Sequence, residues 1–204
     1  FLLNPVTSDD GRFIAFVTNR AYVAADTNGF PDAYLADRNT NPPTITRLTN
    51  ASSESAVQFL VSISADGNLV AFSSRDPEAS GDTNGLADVY VFDRTAGTKT
   101  RVSVGTGGTD ANGASGAPAI SADGRFVAFE STATNFGPVD TNNRADIYVA
   151  DISNLNAITT RRVSKNINAA LGGGLRPWLT GNGGLATVNS TASDLVSNDT
   201  NGVS

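Results

Sequence analysis

Histidine, cysteine and methionine are all absent from the 204 residues. Without histidine or cysteine there is no Ser-His-Asp or Cys-His nucleophile, no imidazole or thiolate metal ligand and no disulfide framework, so peptidase chemistry and histidine-dependent metal chemistry are excluded for these residues. The missing methionine predicts that the chain starts inside a longer precursor. Charge is also sparse: charged residues make up 17% of the chain, 14 basic against 20 acidic, for a net charge of −6. The arginines are scattered along the sequence instead of forming a basic stripe, which argues against nucleic acid as a partner. No apolar run approaches the roughly 20 residues needed to span a bilayer, and no signal peptide stands at Phe1. Aromatics are only 7%, so a core must be built from Val, Ile, Leu, Ala and Phe. Abundant Gly, Ser, Thr, Asn and Asp favour frequent turns and leave little material for long amphipathic helices, which points to an all-β protein. A cysteine-free, acidic composition suits export, to the extracellular side or cell envelope of a bacterium, with the periplasm as the alternative.

What is present is a repeat. Asp10-Gly11-Arg12-Phe13-Ile14-Ala15-Phe16 returns as Asp66-Gly67-Asn68-Leu69-Val70-Ala71-Phe72 and as Asp123-Gly124-Arg125-Phe126-Val127-Ala128-Phe129, with a decayed copy from Asn182-Gly183 to Val188. Successive spacings are 56, 57 and 59 residues. Two further signatures keep step. One is Asp26-Thr27-Asn28-Gly29, Asp82-Thr83-Asn84-Gly85, Asp140-Thr141-Asn142-Asn143 and Asp199-Thr200-Asn201-Gly202; the other runs from Asp32, Asp88 and Asp146 through Tyr34, Tyr90 and Tyr148 to Asp37, Asp93 and Asp151.

In the third unit, residues 118–121 read as a short buried strand, and Asp123-Gly124 as a hairpin turn, because glycine accepts the positive φ such turns require. Residues 126–130 return, a polar loop covers 131–145, residues 147–151 alternate as a half-buried strand, and Ser153-Asn154 turns the chain into 158–163. Four short antiparallel strands per unit follow. A single such sheet cannot bury both faces, so units must stack, and radial stacking of four-stranded sheets gives a β-propeller. A two-layer sandwich is the structural competitor, but it does not require one signature to recur at near-constant spacing. The expected organisation is a single partial propeller over 1–204, with blades at about 1–57, 58–116, 117–175 and an incomplete 176–204. About three and a half blades cannot close a ring, so more chain beyond an end, or self-association with another chain that completes the cut blade, is expected.

Ser64-Ala65-Asp66-Gly67 and Ser121-Ala122-Asp123-Gly124, the apolar strands ending in Ala-Phe and the later Asp-x-Tyr strands resemble the TolB-like (WD40-like) β-propeller repeat, in its long-bladed bacterial variety with an Asp-Thr-Asn-Gly loop. The resemblance covers practically the whole chain. It departs in the fourth unit, where Gly181-Asn182-Gly183-Gly184 and Val188 replace the usual residues.

Each complete unit carries Asp-Thr-Asn-x-x-x-Asp, with oxygen side chains at the first, third and seventh positions: Asp26, Asn28 and Asp32; Asp82, Asn84 and Asp88; Asp140, Asn142 and Asp146. Calcium takes six to eight oxygens at about 2.3 to 2.6 Å, and such a loop combines two carboxylates, an amide oxygen and backbone carbonyls. Magnesium demands stricter geometry and transition metals favour nitrogen or sulfur. One calcium per complete blade is expected, with Asp76, Glu78 or the carbonyl before each loop as candidates to complete a shell. The fourth copy, Asp199 and Asn201, lacks its closing Asp within the chain. The alternative is that Asp and Asn satisfy backbone donors in Asx-turns, with the closing Asp pinning the next strand.

Other residues read blandly. Asp37, Asp93 and Asp151 are turn acceptors, with Arg38 and Arg94 solvated; the three tyrosines pack between blades with bonded hydroxyls; Trp178 packs in the core, a sugar-stacking platform being the other reading. Glu130 is the acid to consider for a two-carboxylate glycosidase, but no partner is evident, so no enzyme is expected. The function expected is a non-catalytic, calcium-stabilised surface scaffold or binding module for protein or carbohydrate. A periplasmic TolB-like protein-interaction propeller and the propeller domain of a carbohydrate-active enzyme are the alternatives. Specificity would reside in the connections 51–57, 105–116 and 166–175.

Overall fold

Each Ser-x-Asp-Gly stretch closes on itself through local hydrogen bonds. In the first, the Ser8 hydroxyl donates to Asp10 Oδ1 (2.6 Å) and accepts the Phe13 N–H (3.0 Å), while Asp10 Oδ1 also takes the Arg12 N–H (2.9 Å). Gly11 sits at φ 67°, where a side chain would be strained. The same bonds recur around Ser64 and Asp66 and around Ser121 and Asp123. The decayed copy forms the same turn with Thr180 and Asn182, and Gly183 at φ 66°.

The structure is a computed structural model that describes residues 2–54, 56–137, 144–164, 177–184 and 186–187. The turns join strands into three four-stranded antiparallel meanders. The first is β1 (Leu2–Thr7), β2 (Phe13–Thr18), β3 (Asp32–Asp37) and β4 (Thr44–Arg47). The second is β5 (Val57–Ile63), β6 (Leu69–Ser74), β7 (Asp88–Asp93) and β8 (Thr98–Arg101), and the third is β9 (Ser115–Ile120), β10 (Phe126–Ser131), β11 (Asp146–Asp151) and β12 (Thr159–Arg162). A two-stranded ribbon, β13 (Trp178–Leu179) and β14 (Ala186–Thr187), begins the fourth unit. The innermost strands β5 and β9 start at Val57 and Ser115.

Alternation along β2 and β3 puts Phe13, Ala15, Val17, Ala33 and Leu35 on one face. They share a core with Val70, Phe72, Tyr90 and Phe92 of the second sheet. The opposite face of the second sheet (Ala71, Val89, Val91) packs on Val127, Phe129, Tyr148 and Ala150 of the third. Sheets therefore stack face to face in chain order, with β1, β5, β9 and β13 adjacent along the inner side. Inter-blade backbone bonds stitch this inner side: Asp9 N–H to Ala65 O, Ala65 N–H to Ala122 O, and Asp123 N–H to Gly181 O, each 2.9 Å. This is the propeller arrangement, not a two-layer sandwich.

The turn glycines also set blade spacing. A Cβ on Gly67 would lie 2.2 Å from Phe13 Cδ2, and one on Gly183 would lie 2.1 Å from Phe126 Cδ2, so each turn presses its backbone onto the ring of the preceding blade. Phe13 is further held by Arg12 and Arg94, whose guanidinium carbons stand 4.6 and 4.4 Å from its centroid. Arg94 and Arg38 are both exposed, as expected, and each also bonds a turn carbonyl: Arg94 to Gly67 O (3.1 Å) and Arg38 to Gly11 O (2.9 Å).

Candidate functional site

The 2–3 loops carry the Asp-Thr-Asn motifs, and in the first two every expected ligand has an internal partner. Asn28 accepts the Phe30 N–H (2.8 Å) on its oxygen, which makes an Asx-turn, and its amide nitrogen donates to Ala51 O (2.8 Å) and Asp32 Oδ2 (3.2 Å). Flipping the amide would set an oxygen against a carbonyl and a carboxylate, so the network fixes its orientation. Asp32, with no solvent exposure, takes Thr49 Oγ1 (2.7 Å) and the Ala51 N–H (2.8 Å) on Oδ1, and the forked Arg47 guanidinium on Oδ2 (2.6 and 3.1 Å). Asp26 Oδ2 accepts the Tyr34 hydroxyl. Asp26 Oδ1 is buried without a hydrogen-bond partner, and Arg47 Nη2 lies 3.5 Å away.

The second loop repeats this. Asn84 accepts the Leu86 N–H (2.7 Å) and donates to Asp88 Oδ2 (3.0 Å) and Ala111 O (3.1 Å); Ser103 donates to Asp88 Oδ1; Tyr90 donates to Asp82 Oδ2. Arg101 stands 3.4 Å from Asp82, 3.8 Å from Asp88 and 2.5 Å from Asp110. In the third blade, Asp146 takes Arg162 (3.1 Å) and the Ser164 hydroxyl, and Tyr148 donates to Ala133 O (3.0 Å). Asp140, Asn142, Asp199 and Asn201 lie outside the described residues, as does the connection 166–175.

Burial raises the Asp88 pKa against the lowering effect of Ser103 and Asn84. Burial, with Asp26 and Asp82 alongside, pushes the Tyr34 and Tyr90 hydroxyls well above the ordinary phenol value, so they remain donors. The tyrosines stack on Phe16, Phe72 and Phe129 of the neighbouring strand. Asp76 and Glu78 are engaged elsewhere: Asp76 receives the Ser52 N–H and hydroxyl (both 2.6 Å), and Glu78, desolvated enough to raise its pKa, pairs with Lys99.

A calcium ion needs six to eight oxygens turned inward. These two loops turn an amide NH2 and a guanidinium inward instead, so their donor set does not fit a resident calcium. The residues that sequence reasoning passed over are the arginines and the hydroxyls two places later: Arg47-Leu48-Thr49, Arg101-Val102-Ser103 and Arg162-Val163-Ser164. Each arginine is paired in register with the blade's tyrosine, at Tyr34↔Arg47, Tyr90↔Arg101 and Tyr148↔Arg162. The recurring Arg-x-Thr/Ser was the available signal, masked by unequal spacings of 54 and 61 residues.

The second candidate is a cleft of about 410 Å³ along the inner strands, lined by residues of β1, β5, β9 and β13, Trp178 among them. Trp178 was expected in the core but is 71% exposed. The reason is its place in the repeat: it occupies the inner-strand position held by Val6, Ser62 and Ala119, all of which line this cleft. The cleft wall is kinked where β1 and β9 change register against their partners, and Asn4 and Ala117 there adopt φ of 42° and 49°, rare for residues with a Cβ. Glu130 on β10 is half buried, and burial raises its pKa.

Among solved structures, the chain resembles TolB from Acinetobacter baumannii (TM-score 0.54, 19% identity, 92% of this chain and 37% of that one). It also resembles the putative TolB from Agrobacterium tumefaciens (TM-score 0.57, 17% identity, 94% of this chain and 54% of that one). The chain thus spans well under two thirds of either structure. No family model matches the sequence, and no curated relative does. The fold is that of a TolB-like β-propeller. Among the described residues no helix is long and apolar enough to cross a membrane.

Proposed function

We propose that the chain acts by binding, not catalysis, as a propeller of a bacterial cell envelope, the periplasm included, that engages a protein partner at its central cleft. The observation that carries this reading is Trp178, a large apolar ring left 71% exposed beside a cleft walled by four successive inner strands. Aromatic rings with one open face are the residues that dominate protein interfaces. The TolB-type fold and the cysteine-free, acidic composition support the compartment. A carbohydrate stacked on Trp178 is the competing occupant, and it supports a surface scaffold or carbohydrate-active setting instead. A photo-crosslinking residue at Trp178, compared with one at exposed Thr95 on an outer turn, separates these in cells. A protein adduct specific to position 178 supports the proposal; equal labelling at both positions, or none at 178, contradicts it.

Calcium at the Asp-Thr-Asn loops is the other reading of the sequence, with one ion per complete blade. Its test is the melting temperature in calcium against chelator, since a ligand bound only by the folded state raises it by mass action.

A further inference from the structure

The loops look built for a cation, and a cation is there: it is covalently attached. In the first blade two buried carboxylates, Asp26 and Asp32, converge on one guanidinium, with Arg47 Nη2 at 2.6 Å from Asp32 Oδ2 and 3.5 Å from Asp26 Oδ1. In the second, Arg101 stands between Asp82, Asp88 and Asp110 and is itself only 7% exposed. In the third, Arg162 holds Asp146. Each guanidinium reaches its position because the outermost strand places it directly across from the tyrosine, and a further bond from the same guanidinium to a loop carbonyl, Ala25 O or Gly81 O (both 3.1 Å), ties down the start of the motif. Carbonyls and carboxylates around a buried positive charge are the partners a calcium ion takes; the fork of Arg47 meets Asp32 and Ala25 O with hydrogen bonds instead, and Arg101 bonds Gly81 O and pairs with its carboxylates by charge.

Asp26 Oδ1 adds an independent sign. It is buried and accepts no hydrogen bond, and the guanidinium 3.5 Å away is the polar group set against it. Removing that guanidinium leaves two buried acids, Asp26 and Asp32, and the Ala25 carbonyl facing a vacated space without their positive partner.

From this arrangement we infer that Arg47 and Arg101 are the resident cations of these loops, that the blades hold together without metal, and that a divalent-cation site is latent beneath each arginine. The inference is independent of what the cleft binds. It is tested by melting the wild type, Arg47→Met and Arg101→Met in millimolar calcium and in chelator. The wild type melts at the same temperature in both. Each variant in chelator melts roughly 10 °C lower, the loss expected when one partner of a buried ion pair is removed from a chain of this size. Calcium restores part of that loss, and magnesium less, because it demands near-octahedral geometry. A wild type stabilised by calcium, or variants indifferent to it, overturns the inference. Should a variant not fold, terbium luminescence on the wild type decides alone. Tyr34 and Tyr90 donate into these same loops and would sensitise a lanthanide bound there. No sensitised emission is expected, and its appearance would overturn the inference.

Discussion

Blade spacing rests on contacts so close that one methyl group distinguishes them. Replacing Gly67 by alanine places a Cβ 2.2 Å from Phe13 Cδ2 and 2.9 Å from Phe13 Cβ, at a φ of 69°. Left-handed backbone costs an alanine about 1 kcal/mol or slightly more. Crowding a ring that cannot retreat adds about 2 kcal/mol, because Phe13 is 2% exposed and flanked by two guanidinium groups. The Gly67→Ala loss is thus about 3 kcal/mol, or roughly 6–12 °C in melting temperature for a chain of this length. Gly85→Ala is the control: φ is 66°, but nothing lies within 4 Å of the new Cβ, so only the backbone contribution remains, about 1 kcal/mol and roughly 2–4 °C. The repeat also supplies a rescue. Under Gly124 the corresponding residue is Leu69, whose Cδ1 would stand 3.1 Å from a Cβ, so Phe13→Leu in the Gly67→Ala background should recover part of the crowding loss. Equal losses at Gly67 and Gly85, or strict additivity of the Phe13 and Gly67 substitutions, would refute the idea that turn and ring set the distance between blades.

Thr49→Val removes the hydroxyl that donates to Asp32 and accepts the Ala33 N–H, and should cost about 1–3 kcal/mol in urea unfolding. Acid should destabilise the chain through groups whose folded pKa values are depressed. Asp37, held down to about 2 by Arg12, contributes stability that is present above the unfolded carboxylate value and is lost as pH falls toward 2, so Asp37→Asn should flatten that limb of a melting-temperature profile. Glu78 has the opposite sign: burial raises its pKa, so its contribution is fully present below the unfolded carboxylate value and is lost as pH rises through the raised one, and Glu78→Gln should remove that loss. Trp178→Ala should leave the melting temperature within about 2 °C, in keeping with a surface position, while weakening capture of the cleft's partner.

The strands and turns were legible because each answers to local rules. Asp123-Gly124 needs positive φ, and Gly124 has it at 71°; the strand expected over residues 147–151 is present, but it was read as half buried and is instead buried on both faces from Asp146 to Ala150, because its sheet is covered on both sides. Even the decayed Asn182-Gly183 retained the atoms that make the turn. The inside of the Asp-Thr-Asn loop was not legible for a different reason. Asn28 carries both an oxygen and an NH2, and only the positions of Asp32 and Ala51, one of them 23 residues away, determine which faces inward. Arg47 likewise reads as a surface charge until the pairing of β3 with β4 sets it across from Tyr34. Trp178 misled because core and cleft share the inner strand, and which neighbours flank a residue there is decided by stacking between blades, not by the strand's own alternation.

Everything depends on successive sheets lying blade against blade, and the bonds between their inner turns report that directly. Through-hydrogen-bond NMR couplings measured on isotope-labelled protein should connect the Ala65 N–H to the Ala122 carbonyl and the Asp9 N–H to the Ala65 carbonyl, two links that cross from one sheet to the next. Detecting both, with slow amide exchange at Asp9 and Ala65, is the predicted result. Fast exchange at these amides, or couplings from them to carbonyls of their own sheet, would contradict the propeller.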